Sequence, residues 1–299
     1  MMQYIRDWLW TYVWKPLPDM PLGAWTDELI RWLRLAWAPL FDGVETFLES
    51  LYFALADALL WLPSGLMILV FAAIAFVAKG WRLAAVVGVG MFVVAWTPYW
   101  DNTMATLAMV VVATVLATVL AIPIGILASE NRAASAVMRP VLDFMQTLPA
   151  FVYLLPVVML FGVGETPGII ATIIFCMPPG VRLTELGLRQ VDREVVEAAQ
   201  AFGSSPARTL LRVKLPLALP TVMAGLNQVI MLALSMVVIA GMVGGGGLGE
   251  DIVSALGRVD IAKGFNAGIA VVILAIFLDR VMQGLADRTP VAKAARLAH

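Results

Sequence analysis

Few side chains in this 299-residue chain could make or break a covalent bond. The one cysteine, Cys176, lies inside an apolar run, and the one histidine, His299, is the last residue. Disulfides within the chain, cysteine metal clusters and zinc or redox chemistry therefore lack their groups. No nucleophile with a base, no pair of aspartates and no histidine metal set falls within the apolar runs. The residues whose spacing carries information are mechanical in character: Glu197 to Pro216, reading EAAQAFGSSPARTLLRVKLP between two long apolar blocks. Glu197, Ala198 and Ala199 favour helix, Gly203 frees the backbone to turn, and Ser205 followed by Pro206 reads as an N-cap with proline at the first helical position. A second short helix is expected to run to about Val213, carrying Arg208, Arg212 and Lys214, until the Leu215–Pro216 pair breaks it.

The elements that must hold this stretch are set by composition. Apolar residues make up 61% of the chain, charged residues 14%, and the mean hydropathy is +0.90, so a water-soluble globule could not find enough polar surface. The apolar runs are about twenty residues long and lack a period of two, which predicts an all-α integral membrane fold. Seven spans are expected near 62–78, 83–100, 104–128, 144–163, 167–187, 218–243 and 266–284. With the 197–216 loop on the cytoplasmic side, fourteen of the twenty Lys and Arg residues fall on inner segments or the adjoining helix ends. The positive-inside rule then puts the N-terminus outside and the C-terminus in the cytoplasm.

Residues 1–60 differ, holding Trp8, Trp10, Trp14, Trp25, Trp32 and Trp37 among charges. Leu29, Trp32, Leu33, Ala36 and Trp37 form one helical stripe, and Val44, Phe47, Leu48, Leu51, Tyr52, Leu55 and Leu59 another. Both predict amphipathic helices at the outer membrane surface. The expected organisation is thus 1–60 interfacial, 61–286 membrane-spanning with the polar loop at 190–216, and 287–299 a basic cytoplasmic tail. No GxxxxGK[ST] loop occurs, so no nucleotide-binding domain is expected in this chain.

The 197–216 stretch resembles the EAA loop of ABC importer permeases. That pattern is Glu-Ala-Ala, three residues, Gly, nine residues, an aliphatic, any residue, then Leu-Pro, and every interval matches, with Val213 where Ile is usual. Further stretches resemble the permeases for glycine betaine, proline betaine and related compatible solutes. These are MRPVLDFMQTLPAFVYLLPVVMLFG (138–162), TIIFCMPPGVRLTELG (172–187), LPLALPTVMAGLNQVIMLALSMVVIAGMV (215–243) and the run Gly244–Gly245–Gly246–Gly247–Leu248–Gly249. The resemblance implies a type I importer fold, a homodimer with a second copy of the chain, two ATP-binding subunits carrying ATP and Mg, and a periplasmic or extracellular substrate-binding protein. It implies no cofactor on this chain, no enzymatic activity and no nucleic-acid partner.

On the same basis Glu197, Ala198, Ala199, Gly203, Ser205, Pro206, Arg208, Leu215 and Pro216 are the expected ATPase-coupling residues. Asn227, Gln228, Met231, Ser235 and Met236 are the expected lining of the translocation path, offering neutral polar and soft surface. Pro178 and Pro179 are expected to kink the fifth span as a hinge, and Gly244, Gly245, Gly246 and Gly247 to serve an outer hinge or gate. Asp143, Arg182 and Glu185 read as boundary charges on a solvated rim. The alternatives are an ABC permease for another small solute, such as a sulfonate or amino acid, or an ion-coupled secondary transporter. The latter would show inverted repeats or ionisable groups at mid-membrane.

Overall fold

The computed structural model describes residues 1–10 and 21–288, and the described residues are helical throughout apart from short turns. Trp14 and most of the basic tail, residues 289–299, lie outside them. The N-terminal helices are α1 (Met2–Trp8), α2 (Leu22–Ala36), α3 (Ala38–Trp61), α4 (Ser64–Lys79) and α5 (Trp81–Ala95). Four helices follow: α6 (Trp100–Glu130), then α7 (Arg132–Thr147) and α8 (Leu154–Phe161), then α9 (Glu165–Arg189). Helices α10 (Arg193–Ala201) and α11 (Pro206–Thr209) lead into α12 (Leu215–Ala240), α13 (Gly247–Arg258) and α14 (Ile261–Ala286).

The core is α6, α9 and α12, and it closes because small residues let the backbones approach. A Cβ on Gly180 would stand 3.0 Å from Ala121 on α6 and 3.1 Å from Val229 on α12. One on Gly225 would stand 2.9 Å from Leu183. Where lipid is as apolar as the side chains, such close packing holds helices together in place of the hydrophobic effect. Two ends can be told apart. One, called the coupling end after the role expected of 197–216, holds Glu130, Arg189 and Lys214, and the glycine end holds Trp100, Glu165 and Gly244–Gly249.

The span count departs from the sequence expectation of seven. Among the described residues, four helical segments are long and apolar enough to cross a membrane, and six if each of two bent pairs counts as one crossing. The α4 and α5 helices, 16 and 15 residues long, reach only about 24 and 22 Å against a hydrocarbon core of about 30 Å. The segment expected as one span at 144–163 is broken near its start: Leu148 is extended (ψ 133°) before Pro149, and α7 meets the helix over 150–161 at 108°. Proline drives its predecessor out of the helical region, and that restriction outweighs the apolar run.

The α3 helix turns 105° into α4 and lies over the glycine end. Part of its stripe faces protein: Leu48 and Tyr52 are buried together with Ala56, Val44, Leu55 and Leu59 are half-buried, Phe47 and Leu51 stay exposed, and the Phe41 ring meets Phe161 edge-on at 5.4 Å. Neighbouring α2 reaches the same place through Arg34 Nη1, which donates to the Met159 carbonyl at 2.9 Å, while Trp25, Leu29 and Trp32 stay exposed. The α4–α5 hairpin rests on α14 through Phe71 and Phe277 (5.1 Å) and through Lys79 Nζ donating to Gln283 Oε1 at 3.1 Å.

The stretch 244–265, left between the expected spans 218–243 and 266–284, carries α13. Gly244, Gly246 and Gly247 have φ of 76°, 66° and 61°, a region closed to most L-residues, and they steer the chain sharply back onto the bundle. The Leu248 N–H donates to Thr106 Oγ1 at 2.8 Å, and Gly245 N–H to the Ala240 carbonyl at 3.1 Å. Asp251 accepts from Asn102 and pairs with Lys263 Nζ at 3.0 Å, tying α13 to both α6 and α14. Gly241 and Gly249 touch backbone to backbone, with no room for a Cβ on either. Gly241→Ala should therefore overpack the turn and destabilise the chain by about 1–3 kcal/mol, whereas Gly257→Ala, where nothing lies within 4 Å, should not. Thermal unfolding of the two variants in detergent checks this, and equal melting temperatures would contradict it.

Candidate coupling site and translocation face

The α10 helix opens on Asp192, whose side chain accepts from Glu194 N–H at 2.9 Å. It closes in a two-bond cap: Gly203 N–H donates to the Gln200 carbonyl (2.9 Å) and Ser204 N–H to the Ala199 carbonyl (3.1 Å). This is the Schellman arrangement, and it requires the left-handed φ of 78° that Gly203 supplies. Ser205 then stands extended (ψ 155°) before Pro206 at the first helical position, with no bond from its hydroxyl. Glu197 pairs with Arg193 one turn back at 3.4 Å, both exposed, a contact worth well under 1 kcal/mol in water. The Phe202 side chain is 93% exposed, and Leu211, Arg208 and Arg212 are also open. A helical hairpin with exposed apolar and basic side chains and no buried residue on α10 is built to be covered.

The junction with α12 corrects the expected break at Leu215–Pro216. Helix persists from Pro206 to Val243. A single π turn over Leu210–Lys214 joins the parts, and Leu215 N–H reaches back five residues to the Leu210 carbonyl. Proline cannot donate, and its ring would strike the carbonyl four residues back. The wider turn comes just before Pro216 and gives that ring room, so the helix survives. Lys214 is pinned to Glu130 at the end of α6. Whatever moves α11 therefore pushes on a rod that reaches the other end of the bundle.

Beneath this hairpin, Glu185 corrects the reading of a solvated rim. It is buried (7% exposed) and accepts from Ser135 Oγ at 2.7 Å and Arg189 Nε at 2.8 Å, with Arg139 at 3.7 Å. Arg189 also donates to the Ala128 carbonyl at 2.8 Å, so one buried carboxylate fastens α7 and α9 while its guanidinium partner reaches α6. Burying a carboxylate is costly unless it is paired and hydrogen-bonded, and here it is both. Arg182 pairs with Asp143 at the exposed edge.

Five residues of α12 were expected to share one path, and the structure separates them. Gln228, Met231 and Ser235 are exposed along one face, three and four residues apart. Ser235 Oγ donates to the Met231 carbonyl at 3.1 Å. Asn227 turns to α14, where its Nδ2 donates to Asp279 Oδ1 at 2.9 Å, with Gln283 Nε2 on the same carboxylate at 2.8 Å. Met236 is fully buried beside Tyr153, Leu154 and Ala171 and leaves the set. It lies about 100° round the helix from Ser235, which carries it into the core. Pro178 and Pro179 are buried within an unbroken α9, and lacking N–H they leave the Ile174 and Phe175 carbonyls without their helical donors. Sequence reasoning missed Asp279, whose signal was an acid placed i−4 to Gln283 inside an apolar block, and the Thr106–Leu248 bond, which has no local signature.

The fold, a helical membrane bundle presenting one helical hairpin, is that of type I ABC importer transmembrane chains. It resembles the MetNI methionine ABC transporter in inward-facing conformations, with a TM-score of 0.53 and 22% identity over 63% of this chain and 92% of that one. Residues 121–290 match the family of binding-protein-dependent transport system inner membrane components, and the chain belongs to it. Similar proteins include the glycine betaine transport system permease protein OpuAB of Bacillus subtilis, 42% identical over 90% of this chain and 95% of its own. The glycine betaine/proline betaine permease protein ProW of Escherichia coli is 43% identical over 89% of this chain and 75% of its own. The glycine betaine/carnitine permease protein GbuB of Listeria monocytogenes is 44% identical over 89% and 96%.

Gly203→Ala adds a methyl to open space, with nothing within 4 Å, so its cost is the left-handed backbone alone, about 1–2 kcal/mol. Hydrogen exchange should speed up several-fold at the amides of positions 203 and 204 while the melting temperature of the bundle holds. An unchanged exchange rate would remove the cap from the account.

Proposed function

We propose that the chain is the permease subunit of an ATP-driven importer for glycine betaine or a related quaternary ammonium or methylamine osmolyte. The observation that carries this reading is the exposed α10–α11 hairpin continuous with α12, in a chain more than 40% identical across nine-tenths of its length to glycine betaine permeases. A separate ATPase, loaded with ATP and Mg, takes the hairpin, with Arg208 and Phe202 on the contact surface. A second copy of the chain completes the pathway, two ATPases serve the pair, and an external binding protein delivers solute. The coupling end faces the cytoplasm and the glycine end the outside, so the N-terminus is external and residues 1–60 lie at the outer surface.

Inverting a 1:99 population of inward and outward states takes roughly 5.5 kcal/mol of differential binding. A loose joint would dissipate that push as local bending, and the unbroken helix supports a direct transfer. The Gln228, Met231 and Ser235 face is neutral and adaptable, suited to solvating a solute without holding it. Pro178, Pro179 and Gly244–Gly247 act in this reading as hinge or gate points, the prolines through their freed carbonyls. Trimethylamine N-oxide as solute is the second reading, supported by permeases for it that are 36% identical over up to 90% of this chain.

Gly203→Pro or Glu197→Lys should leave the chain in the membrane but cut solute uptake and ATPase copurification at least tenfold, and normal uptake would sink the coupling assignment. Solute choice should follow the binding protein: with that partner unchanged, Gln228→Ala or Ser235→Ala lowers maximal uptake modestly and leaves the range of solutes intact. A switch between betaine and choline caused by either substitution would put a selective site in the membrane instead.

A further inference from the structure

The last span carries a carboxylate, Asp279, whose charge the fold leaves poorly matched. It lies on α14 seven residues before Ala286, inside an apolar helix where an ionisable group is costly. Its oxygens are met by two neutral amides, Asn227 Nδ2 at 2.9 Å and Gln283 Nε2 at 2.8 Å, and by Arg280 only at 3.8 Å from an exposed position. Asn227 is short of a partner too. Its Oδ1 is buried and accepts from no donor among the described residues, which costs more than an ordinary hydrogen bond returns. Flipping the amide would aim that oxygen at the carboxylate, so the orientation is fixed by Asp279.

A donor stands in the same pocket. Lys79, at the end of α4, shares with Asn227, Gln283 and Asp287 the wall of a cavity of about 290 Å³. Its Nζ donates to Gln283 Oε1 at 3.1 Å and lies 4.0 Å from Asp287. The backbone beneath it is held, because a Cβ on Gly284 would stand 2.7 Å from the Ala78 carbonyl and α4 touches α14 there. The side chain is free to swing: lysine carries a compact ammonium with three donors on a flexible four-carbon stem, and the cavity is several times the ~30 Å³ that a water-sized group occupies. We propose that Lys79 is a positioning residue with two seats, Gln283 and Asp287 in this structure and Asn227 Oδ1 with Asp279 in the nucleotide-bound complex. A push on the α11–α12 rod shifts Asn227 against α14 and stretches its bond to Asp279. An ammonium between the two then satisfies the orphan acceptor and pairs the carboxylate at once, and the second seat holds the rod in its shifted position. This rests on the importer reading and adds to it that α4 enters the cycle through one side chain.

The test is acetylation of Lys79 by acetic anhydride, read by mass spectrometry on the full complex in lipid nanodiscs, without nucleotide and with a nonhydrolysable ATP analogue. The Lys79 side chain is 36% exposed, so the reagent reaches it. Its labelling rate should fall about tenfold when nucleotide binds, the factor that one hydrogen bond to a charged group contributes, and Asn227→Leu should abolish the fall. In proteoliposomes Lys79→Met should slow maximal uptake by a similar factor, and adding Asn227→Leu should slow it no further, since both remove the same contact. Lys79→Arg should keep most of the rate, which separates lost charge from lost fold. Equal labelling in the two states of a complex that takes up solute, a fall that persists in Asn227→Leu, or losses that multiply in the double variant would overturn the two seats and leave the importer reading intact. A wild-type complex with no ATP-dependent uptake would overturn both.

Discussion

A hydrogen bond that skips five residues rather than four, from Leu215 N–H to the Leu210 carbonyl, decides whether this protein has a joint or a lever at its coupling end. Proline at 216 would ordinarily end the helix that begins at Pro206. The wider turn relieves the clash, and α11 becomes the first turns of a 38-residue rod. The rod is braced where it leaves the bundle by Lys214 on Glu130. Further in, it is held by Gly225 against Leu183 and by Asn227 on Asp279. Each brace joins α12 to a different neighbour, so displacement of the hairpin is shared by α6, α9 and α14.

The same logic of close approach runs through the glycine end. Positive φ at Gly244, Gly246 and Gly247 folds α13 back onto the bundle, and the backbone contact of Gly241 with Gly249 seats it there. With Asp251 joining Asn102 and Lys263, the run behaves as a clasp between α6, α12 and α14. The buried Glu185 does comparable work at the coupling end, where one carboxylate gathers Ser135, Arg139 and Arg189.

What could be read from the chain was local, and what could not was the outcome of contacts far apart in sequence. Gly203 and the Ser205–Pro206 start follow from backbone rules that need no neighbour, and the structure places both where those rules say. The apolar blocks likewise identify α6, α9, α12 and α14. Leu215–Pro216 was misread because the π turn that rescues the helix has no composition of its own. The 144–163 block was misread because hydropathy outvoted Leu148–Pro149. Asn227 and Met236 were grouped with Gln228, Met231 and Ser235 by residue type, but one residue of displacement rotates a side chain by about 100° and sends it to another neighbour. Glu185 looked like a rim charge because its partners lie 50 residues away, on Ser135, as well as one turn on at Arg189.

The central claim is that α11 and α12 move as one piece. Its most direct test is the distance between spin labels at positions 208 and 231 of one chain, in spin-diluted full complexes with and without bound nucleotide. Twenty-three helical residues span about 34 Å. An unbroken rod keeps that distance within about 2 Å in both states, with a narrow distribution. A shift of more than about 5 Å on nucleotide binding, or a broad distribution in either state, would show that the chain bends at Leu210–Lys214 and that force reaches the spans by another route.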